Sequence, residues 1–318
     1  MNVLVAGATG YIGQAVVDTL VRDGHNAVAA VRTTTRPSWL GSADQVTVNF
    51  TDSASIRAAF GRTPIDAVIS CMASRGGQPQ DAWAVDYQAN LALLQAATDF
   101  AVQNFVLLSA ICVQKPRLEF QRAKLAFESK LRAAPLRHSI VRPTAFFKSL
   151  AGQIKRVRQG RPFLLLGDGQ RTACKPISAR DLARFLVDCL TLPSRQNLTL
   201  PIGGPGPAIT PLEQGELLFS LLNKAPRYRR IPQWFFGGIV GGLSMASRVV
   251  PALGAKAELA RIGRYYATES MLVWNSDEAR YDANATPEFG ADTLEAFYRE
   301  AIQRAEPGAE LGEHSVFS

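Results

Sequence analysis

Short apolar runs of strand length recur through the N-terminal half of the chain, separated by stretches with helical spacing. Asn2–Ala6, Ala27–Val31, Val46–Phe50, Ala67–Cys71, Phe105–Ser109 and His138–Arg142 read as strands. Between them, Gln14–Val21, Ser53–Phe60 and Trp83–Phe100 read as helices. Strand–helix alternation predicts an α/β fold with a Rossmann-like, doubly wound parallel sheet. After Pro143 the period becomes irregular, which predicts a smaller C-terminal lobe. The expected division is a dinucleotide-binding domain over 1–145, to which 173–203 returns. A substrate-binding lobe and tail then comprise 146–172 and 204–318.

Within that lobe, Gly167-Asp168-Gly169 predicts a turn between strands Phe163–Leu166 and Thr172–Lys175. Ser178 opens a helix running to about Leu190, and Asn197–Ile202 is a strand returning to the main sheet. Thr210-Pro211-Leu212-Glu213 joins an N-cap, a first-turn proline and a capping-box glutamate, so a helix starts there. Ile231–Ser247 is uncharged and rich in Trp, Phe, Ile and Gly. It is short for a membrane span and broken by glycines. The default is a buried or interfacial helix; the alternatives are an apolar substrate wall or a membrane-touching surface.

Chemistry enters at Gly7-Ala8-Thr9-Gly10-Tyr11-Ile12-Gly13, which lies between the first strand and the first helix. Glycine there lets the backbone turn tightly and approach a pyrophosphate, while the helix N-terminus offers free N–H groups. Arg32 ends the second strand where an NAD site places an acidic residue; arginine suits the 2′-phosphate of NADPH instead. Arg36 is a weaker candidate for that phosphate. Ligands on such sheets lie beyond the strand C-termini. That rule places Asp52 near the adenine and Cys71, Ala73 and Ser74 beside the ribose and pyrophosphate. Ser109–Cys112 and Pro143 fall towards the nicotinamide end.

Phe120 with Lys124 narrows the chemistry. Many enzymes of this class carry Tyr-x-x-x-Lys, in which the lysine lowers the phenol pKa and the phenol exchanges a proton with an alcohol or ketone oxygen. Phenylalanine has no such proton, so ordinary alcohol–ketone chemistry is not expected.

At 318 residues, 47% hydrophobic and 19% charged, the chain has a globular rather than a disordered composition. The net charge of +8 invites a nucleic-acid reading, but the basic residues are scattered and no nucleic-acid motif is present. Two clusters stand out, Lys155, Arg156, Arg158 and Arg161, and Arg227, Arg229 and Arg230. They are read as a solvated face, or as a surface for an anionic substrate or membrane. The cysteines at 71, 112, 174 and 189 show no Cys-x-x-Cys pairing, so no metal site and no disulfide framework is expected. The first strand begins at residue 2, so no signal or transit peptide is expected before it, which suggests a bacterial cytosolic protein or a mature form cut close to the fold.

Longer stretches carry a resemblance. Leu107–Pro116, Leu118–Lys124, Val141–Leu150, Cys174–Ser178, Leu200–Gly206, Thr210–Glu216 and Gly263–Leu272 are similar to one family. It is the NADPH-dependent 3,8-divinyl chlorophyllide a 8-vinyl-reductases, of the atypical short-chain dehydrogenase/reductase branch. The chain resembles their bacterial type. The resemblance implies reduction of the C8 vinyl group of divinyl chlorophyllide or protochlorophyllide to ethyl, in chlorophyll and bacteriochlorophyll synthesis. It casts Lys124 as holder of the nicotinamide ribose, with Lys124, Ser109, Tyr265 and Tyr266 as candidate proton donors. A flat apolar tetrapyrrole with a propionate wants walls and a cation. Phe146, Phe147, Trp234 and Phe235 are candidate walls, and Lys148 or Arg264 a carboxylate partner. No histidine is assigned to the pigment's magnesium. Two rivals remain: an NADPH-binding assembly factor of a respiratory or photosynthetic complex, and reduction of a small phenolic double bond.

Overall fold

Strands β1 (Asn2–Ala6), β2 (Asn26–Val31), β3 (Asp44–Thr47), β4 (Ala67–Ser70), β5 (Asn104–Leu108), β6 (Arg137–Pro143) and β7 (Leu198–Ile202) form one sheet in the order β3-β2-β1-β4-β5-β6-β7. The neighbouring pairs from β3 to β6 all run parallel. The computed structural model describes residues 1–74, 78–232 and 254–303. The chain divides into two compact units, one of Met1–Ser74, Pro79–Pro143 and Ala179–Pro201, the other of the remainder.

In the first unit the inner strands β1, β2, β4 and β5 are covered on both faces, so they are nearly continuous apolar runs rather than alternating ones. Val3, Leu4, Val5 and Ala6 of β1 are all buried, as are Ala67, Val68 and Ile69 of β4. Helix α1 (Tyr11–Arg22) buries Ile12, Val16, Val17 and Leu20, spaced to face the sheet. Helix α2 (Ser53–Arg62) follows β3. The sheet reverses its winding between β1 and β4, where Ala6 pairs with both Ala30 and Ser70. That crevice is where a doubly wound sheet binds its ligand.

The single helix expected over 83–100 is two segments. A π-helical turn, Trp83–Ala89, precedes helix α3 (Asn90–Asp99). Asn90 is buried and makes the transition. Its amide donates to the Val85 and Asp86 carbonyls, at 3.1 and 3.3 Å, and its carbonyl oxygen accepts from Ser70 Oγ at 2.6 Å. Helix α4 (Glu119–Arg132) carries Phe120 and Lys124. Helix α5 (Ala179–Asp188) buries Leu182, Ala183, Phe185 and Leu186.

In the second unit the expected hairpin is not formed. Gly167 and Gly169 do take positive φ, yet Phe163–Leu166 pairs in parallel with Tyr228–Ile231. Cys174 makes only isolated bridges, to Ile209 and Met271. Aromatic packing favours the longer-range partner: the Tyr228 ring meets Phe163 and Phe219 edge-on, with centroids 6.3 and 5.6 Å apart. Thr210 and Glu213 form the expected reciprocal cap of helix α6 (Pro211–Leu221). Helices α7 (Gly254–Thr268) and α8 (Leu294–Gln303) follow. Phe147, expected to line a substrate cleft, lies instead in this unit's core against Phe297, centroids 5.5 Å apart. An apolar side chain that fits a ligand wall fits a core equally well.

Candidate active site

The glycine turn is built from backbone contacts that no side chain would allow. Gly7 has φ +76°, and a Cβ there would lie 2.7 Å from the Cys71 carbonyl. A Cβ on Gly13 would lie 2.1 Å from the Gly7 oxygen, so α1 starts against the turn itself. Helix α1 has no side-chain cap and no acidic residue in its first turn. A helix start of this kind, with its partial positive charge, suits a pyrophosphate.

Around this turn the expected residues divide. Thr9 is exposed on it, and Tyr11, Ile12 and Gly13 open α1. Arg32 is exposed just past β2 and pairs with no described residue. Arg36 is committed elsewhere, its guanidinium donating to the Gly41 and Ala43 carbonyls at 2.8 Å each. Asp52 caps α2, accepting from the Ala54 N–H at 2.9 Å. Cys71 donates its N–H to the Ala6 carbonyl at 2.8 Å. Burial pushes its thiol up to about 12, with the Lys124 ammonium pulling the other way.

Lys124 reaches from α4 to Asp86, a residue that the sequence reading overlooked. Its Nζ lies 2.8 Å from Asp86 Oδ1, and the two side chains are 11% and 1% exposed. Ser74, just beyond β4, donates to Asp86 Oδ2 from Oγ at 2.7 Å and from its N–H at 3.3 Å. The N-terminus of α4 is fixed by buried Gln121, which accepts from the Arg117 and Leu118 N–H groups and donates to the Cys112 carbonyl. Phe120, one residue earlier, is half-buried and brings no hydroxyl to this site.

Residues 7–193 match the family model described as NAD(P)H-binding. Over 332 aligned positions the chain is 47% identical to the chloroplastic divinyl chlorophyllide a 8-vinyl-reductase of Oryza sativa subsp. indica, covering 99% of this chain and 82% of that one. The chain belongs to the divinyl chlorophyllide a 8-vinyl-reductase family. Likeness to the photosystem II assembly factor Ycf39 of Synechocystis is weaker, 26% over 64% of this chain and 63% of that one. Among solved structures, the UDP-glucose 4-epimerase of Thermotoga maritima shares the fold. Its TM-score is 0.62 at 20% identity, over 72% of this chain and 86% of that one.

Other residues marked out for this vinyl-reductase-family chain have defined places. Ser109, just past β5, donates its hydroxyl hydrogen to Glu128 Oε1 at 2.7 Å. Glu128 is fully buried and was likewise overlooked. It accepts from Arg142 Nε at 3.0 Å and Arg132 Nη2 at 2.8 Å, tying α4 to β6 just before Pro143. In the second unit Tyr265 is buried and Tyr266 exposed, their rings edge-to-face at 5.7 Å. Phe146 and Lys148 are half-buried and Arg264 exposed. Trp234 and Phe235 lie outside the described residues. Among the described residues no group of side chains suits a metal ion.

Of the overlooked carboxylates Asp86 left a signal, sharing a stripe with Leu93 and Ala97 beside Asn90. The stripe of Glu128 holds Gln121 and Lys124 as well as Leu131 and gives none. A charged residue on an apolar stripe is a buried charge awaiting a partner.

Proposed function

We propose that this protein reduces the C8 vinyl group of 3,8-divinyl chlorophyllide a, or of its protochlorophyllide counterpart, to ethyl with NADPH. What carries the reading is the 47% identity, over nearly the whole chain, to a protein of that named activity. The first unit is read as the cofactor domain and the second as the substrate lobe.

The residues present fit the cofactor. Gly7 and Gly13 have no room for a side chain, α1 has no side-chain cap, and the exposed guanidinium of Arg32 suits a 2′-phosphate. When bound, NADPH supplies the hydride that becomes the new C–H bond at the terminal vinyl carbon. The vinyl electron pair moves into the conjugated macrocycle, so no localised oxyanion needs a phenol. This is the physical sense of Phe120. Lys124 holds the ribose hydroxyls and places a positive charge where the macrocycle becomes electron-rich. A proton from its ammonium then completes the ethyl group: the Nζ–H bond breaks, a C–H bond forms at the inner carbon, and water restores the ammonium. Ser109, Tyr265 and Tyr266 are the remaining donor candidates, with Phe146 a wall and Lys148 or Arg264 a propionate partner.

The two basic clusters support a peripheral contact with an anionic membrane. Lys224 Nζ donates to the Val157 and Arg158 carbonyls, at 3.2 and 2.7 Å, which brings the segments side by side. Among the described residues no helix is long and apolar enough to cross a membrane. Equal sedimentation with anionic and zwitterionic vesicles would remove this contact.

The deciding experiment mixes the purified protein, NADPH and divinyl chlorophyllide a. Losing one vinyl from conjugation shifts the Soret band to the blue, and mass spectrometry reads a gain of two hydrogens. Protein that binds NADPH yet leaves the pigment unchanged would favour the assembly-factor alternative.

A further inference from the structure

Asp86 has no part in the scheme above, yet the fold takes unusual trouble over it. An isolated carboxylate is costly to bury, and a buried ion pair is seldom more stabilising than an apolar pair of the same volume. Its retention on the inner stripe of a helix therefore asks for a use of its charge.

The surroundings define that use. Apart from the Lys124 ammonium at 2.8 Å, Oδ1 meets no donor among the described residues. Oδ2 is occupied by Ser74. The Asp86 carbonyl is held by the Asn90 amide, and Asn90 is in turn held by Ser70 at the end of β4. Trp83, at the start of the same π-helical turn, donates to Glu119 on α4 at 3.0 Å. Main chain and side chain are thus fixed from β4 on one side and α4 on the other. The π-helical turn inserts an extra residue into the helix, a feature that recurs at functional sites. Lysine, by contrast, carries a mobile four-carbon stem and a charge readily lost on burial.

We propose that Asp86, anchored by Ser74 and Asn90, is the positioning residue that holds the Lys124 ammonium in place and aimed at the reaction centre. The proposal rests on the vinyl-reductase reading for its kinetic consequence, but not for its geometry. Two measurements therefore separate the two.

The first needs neither cofactor nor pigment. The free protein is treated briefly with acetic anhydride and the modified lysines are mapped by mass spectrometry. Lys124 should be acetylated at least about 5-fold faster in Asp86→Asn than in the unaltered protein, and in Ser74→Ala by a smaller factor. The second is kinetic. Asp86→Asn should lower kcat roughly 30-fold while the pigment KM and the NADPH Kd stay within about 3-fold. In a Lys124→Ala background the same change should cost less than about 2-fold, because the group it positions is gone.

Equal losses in both backgrounds, or unchanged Lys124 acetylation, would overturn the proposal. Should Asp86→Asn fail to fold, Ser74→Ala decides alone: a kcat loss of about 3- to 5-fold with faster acetylation supports the proposal, and no change in either overturns it. Unaltered protein that leaves the pigment untouched sinks the vinyl-reductase reading instead, and the acetylation result still decides Asp86.

Discussion

Gly13→Ala puts the cofactor cradle to a quantitative test. The added methyl would sit 2.1 Å from the Gly7 oxygen and 2.9 Å from Ala8 Cα, where ordinary contact begins at 3.4 Å. Every opposing atom is backbone, so no rotamer can give way. The start of α1 must retreat by roughly 1 Å, against the packing of Ile12, Val16, Val17 and Leu20 beneath it. Overpacking of this kind costs about 1–3 kcal/mol, which lowers the melting temperature by several degrees in a unit of this size. The same retreat carries the α1 N–H groups away from the pyrophosphate. Interactions at a helix terminus reach about 1–2 kcal/mol in partly buried geometries, so NADPH affinity should fall by roughly ten-fold.

Gly61→Ala is the matched control. It makes the same chemical change in the last turn of α2, at ordinary φ and with nothing within 4 Å of the new methyl. Helix propensity alone should then stabilise by up to about 1 kcal/mol and leave cofactor binding unaltered. Nicotinamide fluorescence titration at fixed salt and a thermal melt read both variants. Gly13→Ala protein that binds NADPH with undiminished affinity and melts no lower than the parent would refute the cradle.

Three further outcomes are expected. Lys124→Ala should reduce kcat by about 10²- to 10³-fold with a far smaller effect on NADPH binding. It should also destabilise by about 3–5 kcal/mol, since Asp86 is left buried without its ammonium, and unchanged turnover would remove Lys124 from the mechanism. Arg32→Glu should move coenzyme preference towards NADH by roughly two orders of magnitude, and an unaltered NADPH/NADH ratio would contradict its role at the 2′-phosphate. Burial pushes the Cys174 thiol up to about 12 and the Cys189 thiol up to about 11, so thiolate forms only as pH rises towards those values. At pH 8 the thiolate fraction is about 10⁻⁴ to 10⁻³, and iodoacetamide should label these residues about a hundred-fold or more slower than an unfolded control. Fast alkylation of folded protein at pH 8 would show that the interior is wetter than the structure has it.

What could be read from the chain, and what could not, follows from how far each constraint reaches along it. The Gly7–Gly13 turn is legible because its demands are local: a positive φ and two close backbone approaches need glycine wherever they occur. The inner strands β1, β2, β4 and β5 are legible because burial on both faces makes each a nearly plain apolar run. The partner of Phe163–Leu166 was not legible, since a hairpin and the distant Tyr228–Ile231 strand satisfy the same short pattern and only aromatic packing chooses between them. Phe147 shows the same ambiguity, because residue type does not separate a ligand wall from a core. The overlooked carboxylates are different in kind. Asp86 and Glu128 were passed over because a charged residue on a helix reads by default as solvent-facing, although each stands where its neighbours are buried. Of their partners Lys124, Arg132 and Arg142, only Lys124 carries a role from the sequence. The pairing follows once one asks which anion accompanies a lysine assigned to an enclosed cofactor site. A cation assigned to a buried site therefore implies a carboxylate to be sought on the apolar stripes of the neighbouring helices, before any coordinates are known.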